Sequence, residues 1–526
     1  MERFSRSWTI RSEVTGSIAP SQVRVLLVTA MLSSAAGLVL ELLLVTQASY
    51  LAGNATLATG VVVGTFLAAM GLGAWITEFL AVSSSPRSAL LRCLLLVDLS
   101  LCPLCLLGPL ALFQLFAIDG PLWLAVVVLT ILVGVLGGME LPLITRLLET
   151  QQQLRQVLAR VLALDYFGSL LGALAFPMLL LPTLGLLPTA AVLSIVPIGC
   201  ACWLSWTFSD LRKWRRGTLL AMPIIAAGGL VSVPLGDRIE DNLYSDPVIS
   251  RVQSRYQRIV LTRRRGDMRL YLDGNLQFSS RDEYRYHEAL VHPGMAAHPN
   301  PKRILLLGAG DGLALREVLR WPDVERVDLI ELDPAMLRLA QKNPALQRLN
   351  QNSFADPRVH VEIGDAFGLL RTIQGPFDVV IADFPDPDTA SVARLYSVGF
   401  YSRLIRLLST DGIFITQAST PFFTPMVLAS IEKSLQHLPV KTHPYSVTVP
   451  SFGPWGFVLA HREKQTLDFQ PVPFEARWFD QYQLKQLMQF PKDYRPEDQD
   501  SVKPNRLSRP VLIDYQRRDR WSAPIR

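Results

Sequence analysis

The sequence predicts a multi-span α-helical membrane domain followed by an α/β Rossmann-like domain that begins with a small β unit. Two observations lead to this fold class. The first 235 residues hold seven long apolar segments, whereas the rest of the chain is polar between short apolar runs. In that second part, apolar strands alternate with helical stretches, which is the pattern of a largely parallel sheet. At 526 residues, the chain is long enough for several domains.

We divide the chain into four parts by composition and pattern. We expect a multi-pass membrane domain of about seven helices at 1–236, a small β-strand cap at 237–300, a Rossmann-like catalytic domain at 301–462 and a tail at 463–526. The tail is charged and aromatic, and we predict a helical stretch at 474–490 within it. We expect the tail to pack on the catalytic core.

Each apolar segment approaches the ~20 residues that a helix needs to span a bilayer. The segments lie at about 24–48, 57–81, 92–117, 121–145, 160–182, 188–208 and 217–235. Arginines cluster in the N-tail, at Arg3, Arg6, Arg11 and Arg24, and then in every second connection. The positive-inside rule therefore places the N-terminus in the cytoplasm. We expect the protein to be a multi-pass protein of the cell (inner) membrane.

Seven full crossings from a cytoplasmic N-terminus would place the second half of the chain outside the cytoplasm. The seventh segment is the weakest, because it contains Pro223, Pro234 and two glycines. If this segment is re-entrant or lies in the interface, the catalytic domain stays cytoplasmic, which is our expectation. Two Gly-x-x-x-Gly motifs, Gly60 with Gly64 and Gly168 with Gly172, are typical of close helix packing.

Ionisable side chains are expensive at membrane depth, so each one is a functional hypothesis. The apolar segments contain Glu41, Glu78, Asp98, Glu140 and Asp165. They indicate either a path for a cation or a cavity that senses one. The alternative is that these acids pair with arginines at helix ends or stay protonated between helices. The five cysteines also lie in apolar segments, where we expect buried, reduced thiols.

The formal net charge of +6 does not indicate nucleic acid, because much of the arginine borders apolar segments and no aromatic-basic recognition motif is present. We expect the lipid bilayer as a partner and no nucleic acid. No metal site is predicted. Whether the chain forms a homo-oligomer, such as a dimer or tetramer, is left open.

After the membrane half, the pattern predicts a small β unit with strands at 256–262, 268–272 and 276–278. Ser280 is then expected to cap a helix at 281–291. Strands of the main sheet are predicted at 304–307, 327–332, 359–363, 377–382 and 412–417.

The carboxyl ends of parallel strands line the ligand crevice of such a sheet. Gly308 and Gly310 follow the first strand and allow the backbone to approach a ligand at a helix N-terminus. Glu331 ends the next strand, where an acid can accept hydrogen bonds from two ribose hydroxyls. Together with Asp365 and Ala366 after the third strand, this pattern indicates an adenosine ligand.

Three further acids, Asp311, Asp383 and Asp386, crowd the same crevice. Such a cluster would repel the phosphates of a dinucleotide and attract a ligand with several positive charges. A sulfonium that carries an ammonium tail and is attacked by an amine fits this charge pattern.

These residues stand in phrases that resemble the spermidine synthases, or polyamine aminopropyltransferases. The phrases are Tyr256-Gln257-Arg258, Leu272-Asp273-Gly274, Arg281-Asp282-Glu283, Tyr286-His287-Glu288, Gly308-Ala309-Gly310-Asp311-Gly312, Leu315-Arg316-Glu317-Val318-Leu319, Glu331-Leu332-Asp333-Pro334, Gly364-Asp365-Ala366, Asp383-x-x-Asp386-Pro387, Phe400-Tyr401 and Thr416-Gln417-Ala418. The resemblance covers about residues 245–460 and, more loosely, the tail near 505–507. The membrane half resembles the multi-span segment that is fused to some bacterial members, and the soluble fold is then of the methyltransferase type.

The resemblance implies a role for each site residue. On the donor side, Gln257, Glu331, Asp365 and Ala366 would hold the thioadenosine of decarboxylated S-adenosylmethionine, and Asp311 would bind its aminopropyl ammonium. This donor is a co-substrate, and no permanently bound cofactor is implied.

On the acceptor side, Tyr286 and His287 would contact the polyamine. Asp383 would be the general base, and Asp386 would help to bind the acceptor amine. This sequence departs from the family pattern at Ala390, where a proline is expected, and at 449–452, where a substrate tyrosine is expected and the chain has Val-Pro-Ser-Phe. Both departures bear on the identity of the acceptor.

The leading hypothesis is an aminopropyltransferase that converts putrescine into spermidine and releases methylthioadenosine. One alternative is the same reaction on another polyamine. A second is a membrane polyamine sensor or transporter whose soluble half only binds. A third is an S-adenosylmethionine methyltransferase, which would have no need of the acid Asp311 in its glycine turn.

Overall fold

The computed structural model describes residues 18–52, 55–80, 86–118, 120–149 and 154–517. The N-tail arginines Arg3, Arg6 and Arg11 lie outside the described residues. The chain forms two compact units, Met1–Ser245 and Asp246–Arg526.

The first unit is helical, and seven of its helical segments are long and apolar enough to cross a membrane. Its helices are α1 (Pro20–Ala52), α2 (Ala55–Leu80), α3 (Pro86–Ala117), α4 (Leu122–Glu149), α5 (Leu154–Ala175), α6 (Leu181–Leu184), α7 (Leu186–Thr207) and α8 (Arg215–Asp241). A π-helical turn at Phe176–Leu180 joins α5 to α6, so these two form a single segment. The predicted membrane-type helical domain is confirmed by length and composition.

The seventh predicted segment forms one continuous helix, α8, although Pro223 and Pro234 lie inside it. A helix of this length measures about 40 Å, which exceeds the ~30 Å hydrocarbon core of a bilayer. The helix is thus long enough to cross a bilayer. Because it is continuous within the described residues, it does not fold back on itself as a re-entrant segment would.

The glycines of one predicted motif allow two helix backbones to approach closely. A Cβ atom at Gly168 or Gly172 would collide with the backbone of α1 at Met31 or Ala35, which confirms this Gly-x-x-x-Gly motif as a packing contact. The prediction for Gly60 and Gly64 is wrong, because a Cβ atom there would meet none of the described atoms within 4 Å.

The second unit begins with a four-stranded antiparallel sheet in the order β1-β2-β3-β4. Its strands are β1 (Val248–Gln253), β2 (Arg258–Arg264), β3 (Asp267–Leu272) and β4 (Asn275–Ser279). The helix that follows, α9, spans Glu283–Ala297 and not 281–291. Ser280 does not cap it, because the Ser280 hydroxyl accepts from the Met268 amide and donates to Asp267.

The central sheet has seven strands in the order β10-β11-β9-β8-β5-β6-β7. Its strands are β5 (Arg303–Gly308), β6 (Arg326–Glu331), β7 (Val359–Ile363), β8 (Phe377–Asp383), β9 (Leu408–Gln417), β10 (Val440–Val449) and β11 (Gly453–Arg462). β5 to β9 are parallel, and β10 and β11 add an antiparallel pair at one edge. The predicted Rossmann-like fold class is confirmed.

Helices cover this sheet and continue into the tail. They are α10 (Leu313–Leu319), α11 (Pro334–Lys342), α12 (Pro344–Leu349), α13 (Ala366–Leu369), α14 (Ala390–Ala393), α15 (Val398–Arg406), α16 (Pro425–Gln436), α17 (Gln481–Leu487) and α18 (Leu512–Arg517). The middle strands β5 and β8 are buried on both faces, which explains why they read as continuous apolar runs.

The predicted helix at 474–490 is wrong in extent, because only Gln481–Leu487 is helical. The backbone N–H groups of Arg477, Trp478 and Phe479 instead donate to the carboxylate of Glu288, at 2.9, 2.9 and 2.7 Å. Because these amide groups donate to the buried Glu288 of α9, they are not available for the backbone hydrogen bonds of a longer tail helix.

Candidate active site

Two glycines bring the carboxyl ends of three strands close together. Gly308 has φ of +83° and is paired with Asp383 between β5 and β8, where a Cβ atom would collide with the Asp383 carbonyl. A Cβ atom at Gly310 would collide with the carboxylate of Glu331. The predicted glycine turn therefore brings together Asp383 on one side and Glu331 on the other.

Glu331 lies at the end of β6 with little exposed surface. Its carboxylate accepts from the Asp333 amide at 2.8 Å, and the Asp333 side chain accepts from the Gln257 side-chain amide at 3.1 Å. Burial, together with the charges of Asp333 and Asp311, raises the pKa of Glu331 to about 7. The structure thus joins Gln257 to Glu331 through Asp333, which had been noted only as part of a motif.

Asp365 and Ala366 lie at the same edge of the sheet, because the Gly364 amide donates to the Glu331 carbonyl at 2.9 Å. One oxygen of Asp365 accepts from the Phe367 amide at 3.1 Å and so caps α13. Its other oxygen forms an ion pair with Arg394 at 3.0 Å. No motif pointed to Arg394, since it begins a short 3-10 helix after α14 and reaches Asp365 only in the folded chain.

Asp383 ends β8 and accepts a hydrogen bond of 2.7 Å from the hydroxyl of Tyr286 on α9. Burial raises the pKa of Asp383 to about 6. The positive charge of His287 and the bond from Tyr286 act in the opposite direction, whereas the charge of Asp311 raises this pKa further. The result is a carboxylate of unusual basicity at the centre of the crevice.

A buried chain of charges holds His287. Its Nδ1 atom lies 2.8 Å from Glu283, which in turn forms two hydrogen bonds of 3.0 Å with Arg316. Burial lowers the pKa of His287, but the hydrogen bond and charge of Glu283 outweigh it and raise the pKa to about 8. His287 is therefore a cation near neutral pH, and its charge acts on Asp311 and Asp383.

Asp311 lies in the glycine turn, where one of its oxygens accepts from the Leu313 amide at 2.9 Å and so supports the start of α10. Burial raises the pKa of Asp311, and His287 opposes that shift.

Asp386 lies in the loop after β8, and its Oδ2 atom accepts from the side-chain amide of Gln516 in α18 at 3.4 Å. The Oδ1 atom of Asp386 and the Oε1 atom of Gln516 are both buried without a hydrogen-bond partner. Burial and the charge of Asp388 raise the pKa of Asp386 to about 6. Sequence reasoning missed Gln516, because its distance along the chain left no local pattern that links it to Asp386.

Aromatic rings from the β10–β11 hairpin surround Tyr286. The rings of Phe452 and Trp455 lie with their centroids 6.1 and 6.3 Å from that of Tyr286. The indole N–H of Trp455 donates to Gln417 at 3.2 Å, and the Gln417 side chain donates to the Phe384 carbonyl at 2.7 Å. Phe452 thus supplies an apolar wall in the segment where the family pattern has a tyrosine.

Within the described residues, one group of acids and histidine has its ligand atoms within 4.8 Å of one another, namely Glu288, His292 and Glu317. Glu288 accepts three backbone N–H groups of the tail. Glu317 forms ion pairs with Arg316 and Arg320 at 2.8 and 2.9 Å. Donors of the protein thus satisfy both carboxylates, and the group links α9, α10 and the tail.

A Rossmann-like sheet with a glycine turn and an acidic crevice is typical of an enzyme that binds a nucleoside and attracts positively charged groups. Residues 283–471 match the family model of the spermine/spermidine synthase domain. The chain is 40% identical over 508 residues to polyamine aminopropyltransferase 2 of Ralstonia nicotianae, which covers 93% of this chain and 96% of that protein. It is 37% identical over 505 residues to a polyamine aminopropyltransferase of Leptospira interrogans, covering 94% and 98%. A solved spermidine synthase from Thermotoga maritima is 28% identical, with a TM-score of 0.42, over 46% of this chain and 84% of that one.

The chain belongs to the polyamine aminopropyltransferase family. The predicted family and enzyme class are confirmed. The similarity to the curated relatives spans over nine-tenths of the chain, so it includes most of the membrane-type unit as well as the catalytic one.

Proposed function

We propose that the protein transfers the aminopropyl group of decarboxylated S-adenosylmethionine to putrescine, giving spermidine and methylthioadenosine. The observation that carries this proposal is the carboxylate of Asp383, which is oriented by Tyr286 and lies beside Gly308 where the crevice opens. The relatives named polyamine aminopropyltransferase support the reaction class. We choose putrescine as the acceptor because Asp383 and Asp386 can each face one of its two ammonium groups.

On the donor side, Glu331 binds the ribose hydroxyls, and Gln257, Asp365 and Ala366 hold the thioadenosine. Gly308 and Gly310 give the donor room to lie close to the backbone. Asp311 binds the ammonium end of the aminopropyl chain, which favours the decarboxylated donor. The carboxylate of ordinary S-adenosylmethionine would face the negative charge of Asp311 and be repelled.

In the reaction, the acceptor ammonium gives a proton to Asp383, and the freed lone pair attacks the methylene carbon next to the sulfonium. The C–N bond forms as the C–S bond breaks, and its electron pair passes to sulfur, which becomes the neutral thioether of methylthioadenosine. The pKa of Asp383, raised to about 6 by burial, is nearer to that of an amine than the pKa of an ordinary aspartate. Holding both substrates side by side supplies much of the remaining rate.

On the acceptor side, Asp386 binds the distal ammonium of putrescine, and Tyr286 and His287 contact the polyamine near the base. The rings of Phe452 and Trp455 offer an apolar wall for the methylene chain. A diamine with two positive ends thus meets an acid at each end.

The test is to incubate the purified full chain with decarboxylated S-adenosylmethionine and a panel of diamines and polyamines. Release of methylthioadenosine with putrescine in preference to the other amines is the expected result. Preference for a longer or branched polyamine would replace the acceptor but keep the reaction. Release of S-adenosylhomocysteine from ordinary S-adenosylmethionine, or binding of polyamine without turnover, would overturn the proposal.

We further propose that the catalytic unit faces the cytoplasm and that the other unit anchors it in the cell membrane. This requires that one of the seven long helices does not cross the bilayer. The candidate is α8, which contains Pro223 and Pro234 and, as a continuous helix, would lie in the membrane interface instead of folding back. A C-terminal topology reporter checks this. A signal from the far side of the membrane would show that all seven helices cross and that substrates must reach the enzyme there.

A further inference from the structure

A tight hairpin in the four-stranded sheet presents a cluster of arginines that the proposed catalytic site does not use. β2 ends in Arg263 and Arg264, and Arg265 with Gly266 forms the turn to β3. Arg281, which follows β4, joins them, because its guanidinium group donates to the Arg265 carbonyl at 3.3 Å. All four arginines are exposed, and we refer to them as the arginine tip.

The turn places an arginine where other residues are easier to accommodate. Arg265 and Gly266 have φ values of +49° and +82°, which is the left-handed pair of a type I′ turn. Asparagine, aspartate or glycine is preferred at the first of these positions, because a longer side chain is strained there. Arg265 therefore occupies the position at a conformational cost, which points to a role for its side chain at the surface.

The arginine tip keeps an excess of positive charge. Two carboxylates lie beside it, and both are engaged by arginines of this sheet. Asp246 pairs with Arg264 at 3.8 Å and with Arg269 of β3 at 3.3 Å, and Arg269 also pairs with Asp267 at 3.0 Å. The other three members of the arginine tip form no ion pair among the described residues. Their guanidinium groups have a planar fork of donors that matches the oxygens of a phosphate group.

The arginine tip lies at the end of the sheet where the chain enters the second unit. The Arg263 amide donates to the Pro247 carbonyl at 2.9 Å, and Asp246, the first residue of that unit, pairs with Arg264. α8 ends at Asp241, five residues before Asp246. Five residues span at most about 18 Å. The covalent chain thus keeps the arginine tip near the end of α8, whatever the arrangement of the two units.

The end of α8 lies at a membrane surface if the first unit is the anchor proposed above. The helix is largely apolar through Leu235, and the residues that follow are mostly charged, namely Asp237, Arg238, Glu240 and Asp241. Charged side chains are costly in hydrocarbon, so these residues mark where α8 meets water. This holds if α8 crosses the bilayer and also if it lies in the interface. The arginine tip is then close to the lipid headgroups.

We propose that the arginine tip binds the phosphate groups of anionic lipids and so holds the catalytic unit against the membrane surface. Clusters of arginine beside a membrane segment attract anionic lipids, and each arginine contributes about fivefold in affinity. A lipid surface is favoured over nucleic acid, because the length of the chain holds the arginine tip beside a membrane segment. The proposal rests on the membrane anchoring proposed above and does not depend on the choice of acceptor.

The test measures how fast phenylglyoxal modifies each arginine of the purified full chain in lipid nanodiscs, with mass spectrometry as the readout. One set of discs contains phosphatidylcholine alone, and the other contains phosphatidylcholine and phosphatidylglycerol at two to one. We expect the anionic lipid to slow modification of Arg263, Arg265 and Arg281 by about tenfold. High salt should restore the rate, because salt screens the attraction. Arg406, which is exposed where α15 ends, is the control and should react equally in both discs.

Two further anions identify the source of the phosphate. Inorganic phosphate and a duplex DNA oligonucleotide are each added to the phosphatidylcholine discs at the same total phosphate concentration as the lipid supplies. We expect both to protect the arginine tip much less than phosphatidylglycerol does. Stronger protection by either one would replace the membrane as the partner and overturn the proposal. Equal reactivity of the arginine tip in the two kinds of disc would also overturn it.

A variant gives an independent check. Arg263→Gln combined with Arg265→Gln should remove most of the protection that the anionic lipid gives to Arg281. Arg406→Gln removes the same kind of charge elsewhere and should leave that protection unchanged. Full protection of Arg281 in a folded double variant, as judged by circular dichroism, would contradict the proposal. If the double variant does not fold, labelling of the unchanged protein still decides. No step measures turnover, so an error in the proposed reaction does not affect the result.

Discussion

The hydroxyl of Tyr286 lies 2.7 Å from Oδ1 of Asp383 and donates a hydrogen bond to it. The bond links α9 to the carboxyl end of β8, two elements almost a hundred residues apart in the chain. It fixes the orientation of the carboxylate at the point where β5 turns away at Gly308. Because it stabilises the charged form of Asp383, it also influences the pH at which this residue can act as a base.

We expect Asp383→Asn to lower kcat by two to four orders of magnitude, roughly the range for loss of a general base. Binding of methylthioadenosine should be unchanged, because Glu331 and its neighbours are untouched. Turnover is measured by methylthioadenosine release, and binding by calorimetry. Activity equal to that of the unchanged enzyme would end the assignment of Asp383 as the base.

The activity should depend on the protonation of Asp383. With a pKa of about 6, the carboxylate is charged above that pH and protonated below it, so kcat/KM should fall as the pH drops through about 6. Tyr286→Phe removes a donor to the charged form and should raise this pKa. A hydrogen bond to a charged group contributes about 1.5 kcal/mol, so the acidic limb should move up by about one unit. A limb that stays in place would exclude this role for Tyr286.

The C-terminal helix should influence acceptor binding through Gln516. Gln516→Ala removes the donor to Asp386 and a buried acceptor oxygen beside it. We expect the KM for the amine to rise by about tenfold, the equivalent of one hydrogen bond to a charged group, with methylthioadenosine binding unchanged. Asp514→Ala, at an exposed position of the same helix, is the control and should behave as the unchanged enzyme does. Equal KM values in both variants would show that Gln516 plays no part in acceptor binding.

The buried ion pair between Arg316 and Glu283 should be important for stability. Arg316→Met removes one of the two cations that pair with the Glu283 carboxylate, which is only 1% exposed, and leaves His287 as the other. Removing one partner of such a pair costs about 3–5 kcal/mol, so the thermal midpoint of the catalytic unit should fall clearly. The exposed pair of Lys302 and Glu325 is the comparison, and Lys302→Met should leave the midpoint unchanged. Similar midpoints for the two variants would contradict this reading.

Gly310→Ala tests the close approach in the glycine turn. The added methyl group would collide with the carboxylate of Glu331. We expect Glu331 to be displaced from its ribose-binding position, with methylthioadenosine affinity lowered by about tenfold, the equivalent of a weakened hydrogen bond to a charged group. Calorimetry gives the affinity, and circular dichroism should show an intact fold. Unchanged affinity would mean that Glu331 is not a nucleoside ligand.

Much of the fold could be predicted from the sequence because its signals are local. Seven apolar segments became seven long helices, and all five predicted strands of the main sheet were found. The tail helix was predicted too long, since nothing nearby in sequence reveals that Glu288 binds the amides of Arg477 and Phe479. The antiparallel strands β10 and β11 were missed for a similar reason, because their pairing is not a local property.

By itself, the sequence determined the division into an apolar and a polar half, the strands whose carboxyl ends carry glycines and acids, and the family resemblance that those residues carry. These depend on the period of apolar residues and on short motifs, both of which are local. Only the tertiary structure decided which distant groups meet, such as Tyr286 with Asp383, Gln516 with Asp386, and Glu283 with Arg316. Such contacts depend on packing between elements far apart in the chain, and the pattern along a single element carries no record of its partner.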